Sequence, residues 1–491
     1  MYWLGVDVGT GGTRALLVDE KGSVRHAFTA AHEDMRMEHP LWAEQQPENW
    51  WEAAQEAIQG VLAQAQAGGG AIHGVGLSGQ MHGLAILDAS HAVIRPALIW
   101  CDQRSQPQVD EINRVMGSEA VVAATANPVL TGFTLPKLLW VRDNEPRNFA
   151  RVKKILLPKD YVRFQLTGEF ASDVSDASGT ALFDVARRRW SDKMIDGLHL
   201  DASALPAVYE SQEISGRITA RAAKCTGLKE GTPVVAGAGD QAASAIGNGI
   251  VNPGPVSCTL GTSGVVFSYL GEPNYDDAGR VHTFCHAVKA SWHVMGVTQG
   301  AGLSLQWFRS QMAPSSSYDS LMDEAATAPA GSQGLFWLPY LMGERTPILD
   351  ANARGGWIGL TARHRRADLI RALIEGVCYS QRDCLELVEK LGGAVDSVRV
   401  SGGGARSAFW KRTLASVLGK RVVSLETQEG SAYGAALLAL AGTGERSDIH
   451  EVCREAVHEV DAVEPDPAEM PFYAEGHARY QALYPALRGW F

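Results

Sequence analysis

The sequence predicts an α/β fold built as two similar halves, and three observations carry that expectation. Short apolar, β-prone runs alternate with amphipathic helical stretches from the first residues onward, which favours mixed layers over a bundle or a sandwich. A glycine-rich turn after a strand occurs near the start of each half. Gly9-Thr10-Gly11-Gly12 leads into Leu16-Leu17-Val18, and Gly261-Thr262-Ser263-Gly264 leads into Val265-Val266-Phe267. Between them, Gly237, Gly239, Gly247, Gly249, Pro253, Gly254 and Pro255 mark a junction near 240–256. The expected domains are therefore 1–243 and 244–491.

In chain order, residues 2–8 read as a first strand and 14–19 as a second, and Lys21-Gly22 turns the chain into a third near 23–29. A helix is expected from about Pro47 to Gln66, with proline in its first turn and Trp50, Ala53, Ala54, Ala57, Ile58, Val61 and Leu62 along one face. Gly68-Gly69-Gly70 ends it. Strands follow at Ile72–Leu77, Leu84–Leu87, Ala97–Trp100 and Ile155–Leu157, with a helix from 104. The second half adds strands at Val256–Leu260, Leu335–Leu338 and Ser397–Val400, and helices near 409–418 and 475–487.

Composition narrows the function classes. With 45% hydrophobic and 20% charged residues, the 491-residue chain matches soluble globular proteins. A net charge of −11 provides no basic face for nucleic acid or anionic membrane. An anionic ligand would have to be held locally, by N–H groups, a few basic side chains or a divalent metal. No run approaches the roughly 18 apolar residues of a membrane span. The start at Met1-Tyr2-Trp3 reads as a strand and not as a signal peptide. The seven cysteines (101, 225, 258, 285, 378, 384 and 453) lack C-x-x-C spacing and read as reduced thiols, so the expected compartment is the cytoplasm.

Several segments carry chemistry. Asp7 ends a strand beside Gly9-Thr10-Gly11-Gly12-Thr13, where a carboxylate can hold hydrated Mg²⁺ and turn N–H groups can meet phosphate oxygens. Arg14 could add a positive charge; the plain alternative is a simple hairpin turn. No Walker-type P-loop is present. Asp240 follows the apolar run Val234–Gly239 and precedes a helix start, which locally favours a helix cap and is compatible with a general base. Ser78-Gly79-Gln80-Met81-His82-Gly83 and Trp100-Cys101-Asp102-Gln103-Arg104 place polar groups at strand ends where a polyol can be read. For the latter the alternative is a buried Asp102–Arg104 ion pair. Ser401-Gly402-Gly403-Gly404-Ala405-Arg406-Ser407 joins a strand to a helix, a layout that lets backbone approach a flat or anionic ligand. Glu344-Arg345-Thr346-Pro347 is a charged loop with a weaker claim.

Together these pieces resemble the carbohydrate kinases that include glycerol kinase, gluconokinase, ribulokinase and xylulokinase. The resemblance runs from Asp7-Val8-Gly9-Thr10 to Gly434-Ala435-Ala436, through Gly132–Val141 and through Gly355–Leu360 to Glu375. It implies two actin-like (ribonuclease H-like) ATPase domains with a ligand cleft between them. The segments Gly79–Gly83, Leu156–Tyr161, Gly168–Asp173 and Gly343–Pro347 imply ATP-dependent phosphorylation of D-xylulose. On that resemblance Asp240 is the base and Asp7 positions Mg²⁺. Thr10, Gly11, Gly12, Thr13 and Arg14 lie near the phosphates, as do Gly261, Thr262 and Ser263. Gly302, Gln306, Gly402, Gly403, Gly404 and Ser407 lie near the nucleotide. Met81, His82, Trp100 and Asp102 line the sugar pocket. Glycerol kinase-like chains carry hydroxyl residues where Gly11-Gly12 stand, which leaves only backbone contacts there, and lysine is common at the position of Arg14. A homodimer is left open. The rival readings are a sibling kinase for ribulose, gluconate, glycerol or another polyol, a sugar-responsive regulator on the same fold, and an actin-like filament or chaperone ATPase.

Overall fold

The computed structural model describes residues 1–444 and 446–491. Two seven-stranded sheets organise it. In the first, Pro233–Val235, Ile72–Gly79 and Tyr2–Val8 run parallel, Gly12–Val18 and Val24–Ala31 continue antiparallel, and Ile214–Arg217 closes the far edge. The second sheet repeats that order. Arg421–Leu425, Val395–Ser401 and Gly254–Leu260 run parallel, Gly264–Leu270 and Trp292–Thr298 continue antiparallel, and Glu459–Val463 closes the edge. The two glycine-rich turns thus occupy equivalent hairpins, and a four-residue echo in sequence corresponds to a repeat of six strands, the seventh being Ala238–Gly239 in one sheet and His282–Cys285 in the other.

The central strand Tyr2–Val8 is buried almost throughout because helices cover both its faces. The helix Pro47–Gln64 covers one with its predicted apolar stripe. The other is covered by Gly430–Thr443, a helix from the second half of the chain. That helix crosses Asp240–Gly247 at Gly434, where an added Cβ would stand 1.7 Å from the Ala243 carbonyl oxygen, so only glycine lets the backbones meet. One core cluster therefore spans both lobes, from Trp3 and Leu16 to Leu437 and Cys453.

Residues 80–213 insert helices Gln106–Met116, Ser118–Thr125, Thr134–Asn144 and Pro158–Thr167 beside the first sheet. The expected helix from 104 starts at Gln106, with Pro107 in its first turn. The run 234–239 is not one strand. It breaks at Gly237, whose φ of 70° turns the chain out of the ladder and back in at Ala238–Gly239. Near the C-terminus a helix spans Met470–Leu487, longer than expected. No described helix is long and apolar enough to cross a membrane.

Candidate functional site

Strand register brings the two central carboxylates together. Asp7 and Ala238 both lie opposite Ser78, on either side of the strand Ile72–Gly79. At about 4.8 Å per strand, Asp7 and the end of Ala238–Gly239 are about 10 Å apart. Asp240 follows directly, and both carboxylates are half-buried. Gly239 takes the cap position of the helix Asp240–Gly247, so Asp240 is its first residue and not its cap. Burial, reinforced by the charge of Asp7, pushes the Asp240 carboxyl up to about 7, against hydrogen bonding from Gln241. Burial also raises Asp7, opposed by the Ser431 and Ser78 hydroxyls and by Arg14.

Two buried polar atoms here, Asp7 Oδ1 and Ser78 Oγ, make no well-formed hydrogen bond within the protein, although the Ser78 hydroxyl lies near enough to Asp7 to favour its charged form. Orphans of this kind mark a place completed from outside the chain. Among the described residues no three metal-ligating side chains cluster. The donor set therefore suits an ion content with one carboxylate plus water and phosphate oxygens, which fits Mg²⁺. Next to it, the Gly9 N–H closes the turn onto the Gly12 carbonyl at 3.0 Å. Gly11 is exposed with open space around it. Gln80 braces the turn from beneath, donating to the Gly9 carbonyl (3.3 Å) and to Gln45 Oε1 (2.9 Å). Thr10 Oγ1 accepts from Trp100 Nε1 at 3.0 Å, joining the turn to an indole that is 42% exposed.

Two residues of this turn behave differently from expectation. Thr13 is fully buried, with its hydroxyl 2.8 Å from His32 Nε2, because it has already entered the sheet opposite Val8 and Ala30. Arg14 spends its guanidinium on Glu429, just ahead of the crossing helix, and on the Thr29 hydroxyl (2.8 Å). Both side chains thus already have protein partners, although the Arg14 charge still acts on Asp7.

Met81 stands against Asp240's strand end, where an added Cβ on Gly239 would lie 2.9 Å from Met81 Cγ, and His82 packs on the turn Ser178–Thr180, where an added Cβ on Gly179 would lie 2.5 Å from His82 Cε1. His82 Nδ1 is 2.6 Å from the Gly179 carbonyl, which can only accept, so Nδ1 carries the proton and Nε2 keeps its lone pair. Burial lowers the imidazole to about 3, which keeps it neutral. Its ring stacks on Phe133 at 4.7 Å. Asp102 resolves to the buried ion pair. Both carboxylate oxygens meet Arg104, and Oδ2 also accepts the Ala43 N–H at 2.7 Å. Arg104 lies 3.8 Å above the Trp42 ring and also pairs with Glu44. With no exposed surface, Asp102 frames the pocket wall and has no oxygen left for a sugar.

In the second lobe, the Gly261 carbonyl accepts the Gly302 N–H (2.7 Å) and the Thr262 carbonyl accepts those of Ala301 and Leu303 (both 3.1 Å). Gly402, at φ 86°, packs where an added Cβ would be 2.7 Å from the Leu260 carbonyl oxygen. The turns 261–263, 302 and 402–404 thus form one surface at the carboxyl ends of parallel strands, with Gly403 exposed. Gln306 is exposed on the helix Gly302–Met312. The Ser407 hydroxyl is occupied in capping the helix Ala408–Leu418, accepting the Trp410 N–H at 3.2 Å.

Sequence reasoning gave no role to a fully buried charge cluster under Asp240. Lys159 Nζ lies 2.7 Å from Asp160, 2.8 Å from Asp173 and 2.9 Å from Asp176, and Arg163 also pairs with Asp160 at 2.7 Å. All five are unexposed. Asp173 accepts the Ser175 hydroxyl (2.5 Å), and Ser175 Oγ in turn accepts the Gly239 N–H (3.1 Å), one residue before Asp240. Burial pushes Lys159 down, but the three carboxylates win and its pKa is raised. Burial, with Asp160 and Asp173 beside it, holds Asp176 well above the usual carboxylate range against the pull of Lys159. The available signal was a lysine between Leu156-Leu157-Pro158 and Tyr161, ahead of Asp173-Val174-Ser175-Asp176.

Two topologically equivalent α/β lobes, each with glycine-rich turns at its strand ends, define the class: a two-domain, actin-like ATPase fold with a ligand cleft. Residues 2–247 match the N-terminal domain of the FGGY family of carbohydrate kinases, and residues 256–443 match its C-terminal domain. The chain belongs to that family. It is 38% identical over 483 residues to the xylulose kinase of Bacillus subtilis, covering 98% of this chain and 96% of that one. It is 38% identical over 490 residues to the xylulose kinase of Escherichia coli, covering 99% of each. A crystal structure described as a xyloylose kinase from Brucella ovis superposes with a TM-score of 0.94 at 39% identity, covering 100% of both chains.

Proposed function

We propose that the protein transfers the γ-phosphoryl group of ATP to the terminal hydroxyl (O5) of D-xylulose, giving D-xylulose 5-phosphate, in the cytoplasm. The reading rests above all on one observation: a half-buried carboxylate near neutrality, Asp240, stands two strands from an orphaned one, Asp7. Similarity to xylulose kinases along the whole chain supplies the sugar.

Phosphoryl transfer asks for positioning and charge neutralisation more than covalent chemistry. Asp240 accepts the O5 proton as the oxygen attacks. Asp7 is the residue that would hold Mg²⁺, and when bound the ion would neutralise charge on the phosphate oxygens. N–H groups of the turns 9–12 and 261–263 cradle the phosphates, and Gly302, Gln306 and the turn 402–404 border the nucleotide. Met81, His82 and Trp100 line the sugar, with Asp102 and Arg104 framing them. The lobes divide at 243/244, inside the helix Asp240–Gly247, and close on the ternary complex to exclude water.

Asp240 works as a base only when deprotonated. With its pKa raised to about 7, kcat/KM for the sugar is expected to fall about tenfold per pH unit below that value and to level off above it. A profile flat from about pH 5.5 to 8 would contradict the assignment. The substrate itself is tested by a panel of D-xylulose, D-ribulose, gluconate and glycerol with coupled ADP detection. D-xylulose is expected to give the highest kcat/KM; ADP release indifferent to every sugar would favour the plain ATPase reading.

A further inference from the structure

Building on the function proposed above, we propose that Arg345 is a further substrate-binding residue, reaching from the second lobe to the ketone end of the sugar and selecting a 2-ketose over the matching polyol. Its neighbours are bolted down. Glu344 and Thr346 are 3% and 2% exposed. Glu344 Oε1 accepts the N–H groups of Gln299 and Arg345, both at 2.7 Å. Thr346 Oγ1 accepts the Val297 N–H (3.0 Å) and donates to the Arg280 carbonyl (2.6 Å), while the Thr346 N–H returns to the Val297 carbonyl (3.0 Å). Between these anchors, the half-buried Arg345 guanidinium makes no ion pair and no side-chain hydrogen bond among the described residues. The one neighbouring charge that favours this cation is the Glu344 carboxylate, which leaves the guanidinium donors free for a further acceptor.

The loop's position says which part of the cleft it serves. Val297 pairs with Val265, and both pack against the cluster that holds Met81 and Phe133. Phe133 stacks on His82 and lies 6.0 Å from the His282 ring. Arg345 is close enough to both histidines for its charge to disfavour their protonation, whereas the charge acting on Asp240 is that of Asp7. Arg345 therefore flanks the His82 side of the pocket. The polarity also fits. A guanidinium only donates, and His82 Nε2 accepts. A 2-ketose presents an acceptor-only carbonyl beside hydroxyls that can donate; the polyol replaces that carbonyl with another hydroxyl.

The test measures steady-state kinetics of wild type, Arg345→Gln and Arg345→Lys with D-xylulose and xylitol at saturating ATP. Arg345→Gln is expected to raise KM for D-xylulose about tenfold or more and to cut the D-xylulose to xylitol kcat/KM ratio about tenfold, with KM for ATP unchanged. Arg345→Lys should recover part of both. An unchanged melting temperature shows that the variants are folded. Values of KM and of the ratio within about twofold of wild type, or equal losses on both sugars and ATP, would overturn the role of Arg345. Wild-type turnover of D-xylulose separates the two claims: its absence, with gluconate phosphorylated instead, overturns both the ketose selection and the function on which it rests.

Discussion

Asp240→Ala is expected to lower kcat for ATP-dependent D-xylulose phosphorylation by about 10²–10⁴-fold, the usual contribution of a positioned general base. KM for ATP should change little, since the proposed role of Asp240 is on the sugar hydroxyl. Asp240→Asn separates chemistry from folding. In the folded state the Asp240 pKa is raised from 3.8 to about 7 by burial and then by Asp7. The folded chain therefore binds that proton more tightly than the unfolded one. Its stabilising contribution is full below about pH 3.8 and is lost as pH rises through about 7. At pH 8 the charged carboxylate costs up to about 4 kcal/mol, and the neutral amide removes that cost. Asp240→Asn should thus be inactive yet melt higher than wild type at pH 8, with the gap closing at pH 5. Activity within about tenfold of wild type, or an amide variant that melts lower at pH 8, would sink the base assignment.

The second large effect concerns Lys159. Replacing it with methionine leaves Asp160, Asp173 and Asp176 buried with only Arg163 to offset them. Breaking a buried ion pair on one side typically costs about 3–5 kcal/mol. Lys159→Met is therefore expected to lose that much in denaturant unfolding. Adding Asp176→Asn should return part of it, because the amide is neutral without having to take up a proton. A loss below about 1 kcal/mol would show that water or rearrangement replaces the ammonium. Since Ser175 carries the link from Asp173 to the Gly239 N–H, any folded Lys159 variant should also lose kcat more than sugar affinity.

What could be read from sequence was what local backbone chemistry dictates. The turn Gly9–Gly12, its echo at Gly261–Gly264 and the strand-to-helix placement of Asp240 are each set by a few adjacent residues. The apolar stripe of the helix beginning at Pro47 was equally local. Pairing across the fold was hidden. Thr13 and Arg14 follow the glycine turn in sequence, but the ladder turns one toward His32 and ties the other to Glu429, 415 residues away. The Asp102–Arg104 pair was one of the two readings of its segment, but that Glu44 and Trp42 hold Arg104 in place is something no spacing rule predicts. The helix Gly430–Thr443 covers the first lobe's sheet although it belongs to the second half of the chain. Lys159 shows the same limit, since a buried lysine becomes intelligible only once Asp173 and Asp176 are seen around it.

The most direct measurement is to incubate the wild-type protein with ATP, Mg²⁺ and D-xylulose and locate the phosphate by carbon–phosphorus coupling in NMR. The expected product carries phosphate on C5 and forms in step with ADP. ADP released without sugar phosphate, or phosphate attached at another carbon, would contradict the pairing of Asp240 with the terminal hydroxyl.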